Sequence, residues 1–521
     1  MTDLAERTNT STSHDGSTSV QSIVTTFSQI VVGIVFTIVT YGASLAAFRE
    51  LGVGLGTLVS VTLVIMITLL LLQMHLSAYL FYWLTLVLLQ NAVVGLWLPD
   101  HFSGDVPLVV TEAKTISLLV AVVVSLPLIF RLLRGQKSAT WLMALYFGWI
   151  ALSVRQADTA TFAYGRNFIF PLLLLLVVAA RSREFNVESR LSLLRRLLAY
   201  TIAVMSIGVV AEMTVGTLDW RHLLSTDKLG SLGGVSDTTK FFGLRIDRTA
   251  GFIVEPTNAG YIAAICAVLL ILLAVASKDH RLSVTWLLQF GAAVLLLIQS
   301  GARSGLLMLA LSLVVIVLSR SKLRPARLFL AGCLSAFVIV LVYISIVKSP
   351  ASVIKAFSDP PSLVGGDSTT FHLAGLMSGI QGGVRTVIGH GLGVGGNFSS
   401  IGGAENALTG AEKVATGGES AWGVLSYQTG IVGLVLLIAV LIVVGRNWGS
   451  LTLVALIIWS VTAMFAEASF GLQVSAMIMV GSALLRGAGT SYSSSQNTLP
   501  LLDHVTAASS SVRSNRSSTQ S

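Results

Sequence analysis

About fourteen stretches of this chain are apolar over roughly 15–25 residues, long enough to cross a ~30 Å hydrocarbon layer as helices. Inside such a layer every backbone amide and carbonyl must find its partner within the element, and runs of this length do so as helices. They fall at about 26–48, 51–73, 77–98, 108–130, 139–154, 167–180, 199–216, 257–277, 284–300, 304–319, 328–347, 422–444, 450–466 and 471–485. A merged run is a further reading of the first two. Only 11% of residues are charged, against roughly 25% in soluble proteins. The expected fold is all-α, a polytopic transmembrane helix bundle of 12–14 spans. It divides into a polar N-terminal tail (1–21), a transmembrane domain (22–486) and a Ser-rich tail (487–521), both tails expected to be disordered. No cleavable signal peptide is evident. Cys266 and Cys333 both fall in apolar runs and read as small buried residues.

The net charge of +9 sits largely in short loops between apolar runs, which is a mark of membrane topology rather than of nucleic-acid binding. Residues 131–137, Arg181, Arg183, Arg190, Arg195 and Arg196, residues 278–281 and 320–327, Arg446 and Arg486 all share one side when there are fourteen spans. The positive-inside rule makes that side, and both termini, cytoplasmic. Loops 155–166, 217–256 and 348–421 are then external, and the last is expected to carry an amphipathic surface helix over 370–388, just before span 12. Basic residues on the external side run against the trend. They are Arg155, Arg166, Arg245, Arg248, Arg303 and Arg385.

Two segments carry the clearest chemistry. In GLRIDRTAGFIVEPTNAGYIAAI (243–265), Pro256 suits the first turn of a helix and Thr257 or Asn258 can cap it. The free amides and positive dipole end, with Arg248 beside them, form an anion site; the ordinary alternative is a capped span with Arg248 paired to Asp247 or Glu255. In 369–434 a polar, glycine-rich stretch with His372, Arg385, His390 and Glu419 leads into an apolar run. The turn GHGLGVGGN (389–397) lacks the strand-before, helix-after context of a phosphate loop, so its glycines read as turn residues. A guanidinium fork matches phosphate oxygens bidentately, and an arginine cluster at the external surface fits a lipid-linked diphosphate.

Four segments in this order resemble the O-antigen ligase/polymerase (Wzy-like) family of bacterial membrane glycosyltransferases. They are Arg248, Gly251, Pro256 and Asn258 in an Arg-x-x-Gly-x-x-x-x-Pro-x-Asn element, the hairpin Ser300 to Gly305, the Arg385 helix ending in a glycine-rich turn, and Glu419–Ser420 before a span containing Gly430 and Gly433. The resemblance implies a GT-C-like enzyme of the cytoplasmic (inner) membrane, multi-pass, with its site on the external or periplasmic side and no cofactor or metal. It implies transfer of a glycan from undecaprenyl diphosphate to an acceptor hydroxyl. In the polymerases the acceptor is another lipid-linked oligosaccharide repeat unit, giving O-antigen, exopolysaccharide or another cell-envelope polymer. In the ligases it is lipid A-core. Ligases carry His-Asn where this chain has Glu419-Ser420, which leans the reading toward a polymerase.

The expected roles follow. Arg248 and Arg303 clamp the diphosphate, with Arg166, Arg385 and Arg245 as further contacts. Glu419 is the base toward the acceptor hydroxyl, with His390 as the alternative. Asn258, His372, Trp422 and Tyr427 contact substrate, and Trp220 is a further candidate for stacking on sugar, interfacial anchoring being the plainer role for the aromatics. Expected partners are the undecaprenyl-diphosphate oligosaccharide, membrane lipid, and a chain-length regulator and flippase of a polysaccharide pathway, with no nucleic acid. A polysaccharide or lipid transporter is the reading from another class. It would require ionisable residues within spans or inverted repeats, whereas the charges read as lying at span edges.

Overall fold

The computed structural model describes residues 14–97, 108–156, 158–224, 238–241, 244–277, 283–302, 305–306, 308–310, 312–313, 368–396, 410–418, 420–464 and 466–488. Within them the chain is a polytopic helical bundle. Seven of its helices are long and apolar enough to cross a membrane, and three shorter ones are apolar too. Twelve of the fourteen expected spans coincide with helices here; 304–319 falls largely, and 328–347 wholly, outside the described residues.

The first helix, α1 (His14–Met74), holds the first two expected spans and is broken at Gly52. Gly52 has φ 73°, a conformation that costs a side chain dearly and glycine little. A Cβ on Gly56 would meet Phe48 Cα at 2.8 Å. In a continuous helix these residues lie two turns apart, so the chain doubles back at Gly52. The spans then follow as α2 (Leu76–Trp97), α3 (Leu108–Arg134), α4 (Lys137–Leu152), α5 (Thr159–Arg181) and α6 (Val187–Val215). α5 and α6 begin 8 and 12 residues before their apolar runs (167 − 159 and 199 − 187), where Asp158 and Asn186 cap them by accepting from Thr161 N and Ser189 N, both at 2.7 Å.

The expected loop 217–256 holds a short helix, α7 (Thr217–Leu224), and a hairpin of β1 (Thr238–Phe241) and β2 (Leu244–Asp247), paired antiparallel with Thr238 opposite Asp247. α8 (Pro256–Ala276) and α9 (Val284–Ser300) follow. The last group is α10 (Ser368–Arg385), α11 (Gly410–Ala415), α12 (Ala421–Trp448), α13 (Ser450–Met464) and α14 (Leu472–Leu484).

α2, α8 and α14 are apolar on every side, the pattern of a helix surrounded by others. They are buried without a break from Leu76 to Leu88, from Ala259 to Leu270 and from Val474 to Leu485. Hydroxyl pairs tie the inner helices across the apolar core: Thr40 to Tyr82 at 3.1 Å, Thr68 to Ser117 at 2.9 Å, and Thr85 to Tyr200. Cys266 is a free thiol buried in α8. Cys333 lies outside the described residues.

The bundle has two unlike ends. At one, Arg131, Arg134, Arg183, Arg446 and Arg486 line a common cleft. At the other, the segments around residues 153–155, 249–253, 299–302 and 389–396 meet the starts of α5, α8 and α12.

Candidate functional site

At the loop end, the segment before α8 is laid against the end of α9. Arg248 Nε donates to Ser300 O at 2.9 Å, its NH2 donates to Thr257 Oγ1 at 3.0 Å, and Thr249 N donates to Gln299 O at 3.0 Å. A Cβ on Gly260 would run into Ala302 Cβ and Ser300 Oγ, so α8 and the start of the 300–305 hairpin touch closely. The two sequence motifs expected to clamp a diphosphate are thus neighbours. Arg303 itself lies outside the described residues. Arg245 stands on β2 opposite Lys240.

The start of α8 corrects one expectation. Pro256 occupies the first turn as its ring requires, but Glu255 takes the N-cap position. Thr257 accepts from Arg248 instead of capping. Asn258 Nδ2 donates to Glu255 Oε2 at 2.6 Å and leaves its own Oδ1 buried with no hydrogen-bond partner.

The turn leading into Glu255 is strained and tightly held. Val254 has φ 69° and ψ −44°, the one positive φ outside glycine among the described residues, and a costly one for a β-branched side chain. Its side chain is buried with Ala92 and Trp220. Below it, Glu212 of α6 is wholly buried and accepts from the amides of Ala250 and Gly251, both at 2.7 Å. Asn91 of α2 donates to Ile253 O at 2.9 Å, and Trp220 Nε1 donates to Gly251 O at 3.0 Å. Trp220 is therefore a packing residue of this turn, not a free sugar platform. Glu212 was legible in principle: it is an acid inside an apolar run, which is a marker of function by default. The expectation that charges lie only at span edges passed over it.

Arg166 is not held ready for an anion alone. It forms an ion pair with Glu112 of α3, the two side chains 17% and 13% exposed, while Arg166 Nε and Glu112 Oε2 are buried without hydrogen-bond partners. Lys114, nearly two turns into α3, donates to Gln90 of α2. Since Gln90 and Asn91 are adjacent, α2 links this charged cluster to the Ile253 turn. None of Glu112, Lys114 or Gln90 stands out in the sequence as part of a motif.

The glycine-rich turn is built around a break in α12. Gly430 has φ 73° and ψ 175°, so the helix stops there and restarts. Three carbonyls lose their helical partners and find others. Tyr427 O accepts from His390 N at 3.0 Å, Gln428 O from Gly391 N at 2.9 Å, and Thr429 O from Trp149 Nε1 at 2.7 Å. Gln428 also accepts from Gly393 N at 3.3 Å and donates to Gly395 O at 3.2 Å. Leu392 N donates to Ser153 O at 2.9 Å, and Gly396 N to Thr416 Oγ1 at 3.0 Å. With Gly389 N bonded to Thr386 O as well, the amides of 389–393 and of 396 are taken up inside the protein. The turn is a clasp between α4, α5 and α12, not an anion cradle, as its context in the sequence implied.

The amphipathic helix expected over 370–388 is α10, and its inner face packs closely. Gly375, Gly379 and Gly383 form a small-residue stripe, and a Cβ on any of them would strike backbone at Gly418, Gly423 or Ser426. α10 therefore docks on α12 through glycine, and Val384, Val387 and Ile388 remain exposed. Arg385, in its last turn, is exposed and forms no hydrogen bond or ion pair among the described residues. His372 is half-buried nearer its start.

Two aromatics separate cleanly. Trp422 is buried, donates to Ser460 O at 2.6 Å and meets Phe470 edge-on, so it is a core residue rather than a sugar contact. Tyr427 is half-buried and lies flat against His390, ring centroids 4.1 Å apart at 16°. Partial burial, and then the charge of Arg155, hold the His390 pKa below its ordinary value. Arg155 NH2 donates to Gly389 O at 2.7 Å. His390 is thus biased toward the neutral imidazole, the form that accepts a proton. Glu419 lies outside the described residues; Ser420, next to it, caps α12 by accepting from Gly423 N at 3.1 Å.

Comparison with protein-family models, with curated proteins and with solved structures finds no match to this chain.

Proposed function

We propose that this protein is a membrane glycosyltransferase that joins undecaprenyl-diphosphate-linked repeat units into a polysaccharide at the loop end of the bundle. One observation carries the reading: the Arg248 segment and the Ser300 hairpin, separate in sequence, are joined through the Arg248 guanidinium. A fixed guanidinium beside the head of α8 suits a diphosphate whose charge grows during reaction.

In this reading the acceptor hydroxyl oxygen attacks the anomeric carbon from the face opposite the diphosphate. The bond from that carbon to the diphosphate oxygen breaks, and the polyprenyl diphosphate leaves with the electron pair. Arg248 and Arg303 bear on that charge. The hydroxyl proton passes to a base, Glu419 first and His390 second. The polyprenyl tail stays in lipid along the bundle.

The test is turnover of purified lipid-linked repeat units by the full chain in detergent or lipid discs, read as polymer length on a gel. Arg248→Ala is expected to lower the rate about 10²–10³-fold, the usual loss when one donor to a developing anion is removed. Arg248→Lys keeps the charge but not the fork, and is expected to recover part of it. Polymer of full length and at the full rate from Arg248→Ala overturns the reading.

A further inference from the structure

The opposite end of the bundle carries a second concentration of charge that the proposed reaction leaves unused. Arg131 and Arg134 at the end of α3, Arg183 in the turn after α5, Arg446 near the end of α12 and Arg486 after α14 line one open cleft of about 660 Å³. Among the described residues no Asp or Glu lines it. The nearest acids in sequence, Glu184 and Glu188, form no ion pair with any of these arginines; among the described residues the ion pairs are Arg49–Glu50 and Arg166–Glu112.

The positive-inside trend accounts for arginines at this end, but not for their convergence on one cavity. Each brings a like charge toward the others, a repulsion that grows as solvent is excluded. Arg181, close by, shows what a structural arginine does here: it donates to Ser125 Oγ at 2.9 Å and to Leu72 O at 3.1 Å. Of the five cleft arginines, only Arg183 donates a side-chain hydrogen bond among the described residues, at 3.4 Å to Arg131 O.

A sixth arginine stands behind them. Arg190 of α6 is 7% exposed, and its Nε and NH1 are buried with no hydrogen-bond partner. Its NH2 lies 4.0 Å from where a Cβ on Gly487 would sit, and Gly487 lines the cleft. A buried guanidinium with unspent donors is costly unless something accepts from it. Burial, with Arg190 and Arg183 nearby, lowers the Arg486 pKa to about 10. Arg486 lies over the Trp448 ring at 5.8 Å, which holds it at the cleft.

We propose that this cleft binds a phosphate-bearing anion, either an anionic phospholipid headgroup or a soluble phosphate. Forked donors of which four in five form no side-chain hydrogen bond among the described residues, in a cavity open at the arginine end, match phosphate oxygens, and basic pockets between spanning helices are a known setting for acidic lipid headgroups.

The test is thermal unfolding of the full chain in dodecyl maltoside. The probes are inorganic phosphate against sodium chloride at equal ionic strength, and phosphatidylglycerol against phosphatidylcholine in mixed micelles. A ligand that binds only the folded state raises Tm. At least one probe is expected to raise it by about 3 °C or more over its control. The shift is expected to vanish in Arg131→Gln/Arg134→Gln, whose side chains are exposed and carry little of the packing, and in Arg446→Gln/Arg486→Gln. A response to phosphate identifies a soluble anion site, and a response to phosphatidylglycerol alone identifies a lipid site. If neither probe exceeds its control, or if both double variants respond as the parent does, the proposal fails.

Discussion

Glu212 and Gly251 are bound carboxylate to amide at 2.7 Å, and the same carboxylate oxygen takes the amide of Ala250 at the same distance. One buried acid on α6 thus fixes the turn that presents Arg248. Glu212→Ala would orphan two buried amides, at about 1–3 kcal/mol each. It is expected to lower Tm and to abolish polymer synthesis. Glu212→Gln keeps an acceptor oxygen and is expected to restore much of the stability. Thermal unfolding and the polymer assay on both variants check this.

His390 gives a pH prediction. Its pKa lies below the ordinary 6.5 in the folded chain. The folded state therefore binds this proton less readily than the unfolded chain does. The resulting stability is complete above pH 6.5 and is lost as pH falls through the depressed value. Arg155→Gln removes the nearby positive charge and is expected to raise the His390 pKa part of the way back. An NMR titration of the labelled imidazole reads both directly. If His390 is the base, the acid limb of activity moves upward in the same variant.

Gly430 predicts a contrast between glycines. An alanine there would hold a side chain at φ 73° and press its Cβ on Val387 O and on Gly389 N. Gly430→Ala is expected to destabilise by more than about 1 kcal/mol, because both conformation and space oppose it. Gly148 in α4 has nothing within 4 Å of its Cβ position and no positive φ. Gly148→Ala is expected to be neutral or to stabilise by up to about 1 kcal/mol. Paired unfolding curves decide the matter.

Trp422 and Tyr427 should part in kinetics. Trp422→Phe loses the bond to Ser460 O, worth about 1 kcal/mol, and is expected to lower Tm with no change in KM for the glycan. Tyr427→Ala removes the surface against which His390 lies and is expected to reduce kcat. A KM effect from Trp422→Phe at unchanged Tm would contradict the core role.

The spans were legible because each is set by its own run of apolar residues, a local property. The doubling of α1 at Gly52 was legible only as an ambiguity, since a single glycine carries it. Starts of helices were misjudged where a polar turn precedes the apolar run, as at Asp158 and Asn186, because capping extends a helix beyond its lipid-facing length. The pairing of Arg248 with the Ser300 hairpin was foreshadowed by two motifs in order. The pairings of Glu112 and Lys114 were not, because their partners come from other helices and no spacing within one segment encodes them; Glu212 stood out as an acid inside an apolar run, but its partners in the 250–251 turn did not. The contact of Trp422 with Phe470 was not legible for the related reason that an aromatic at a helix start looks the same whether it faces sugar or the core.

The interruption in α12 also sets a height. From residue 431 to Trp448 the helix runs 18 residues, a rise of about 27 Å, close to the ~30 Å thickness of a hydrocarbon layer. Counted from Trp448, one layer thickness along this helix ends near the line of Gly430. His390 and Tyr427 are fastened at that line by backbone bonds and cannot rise or sink without unpicking them.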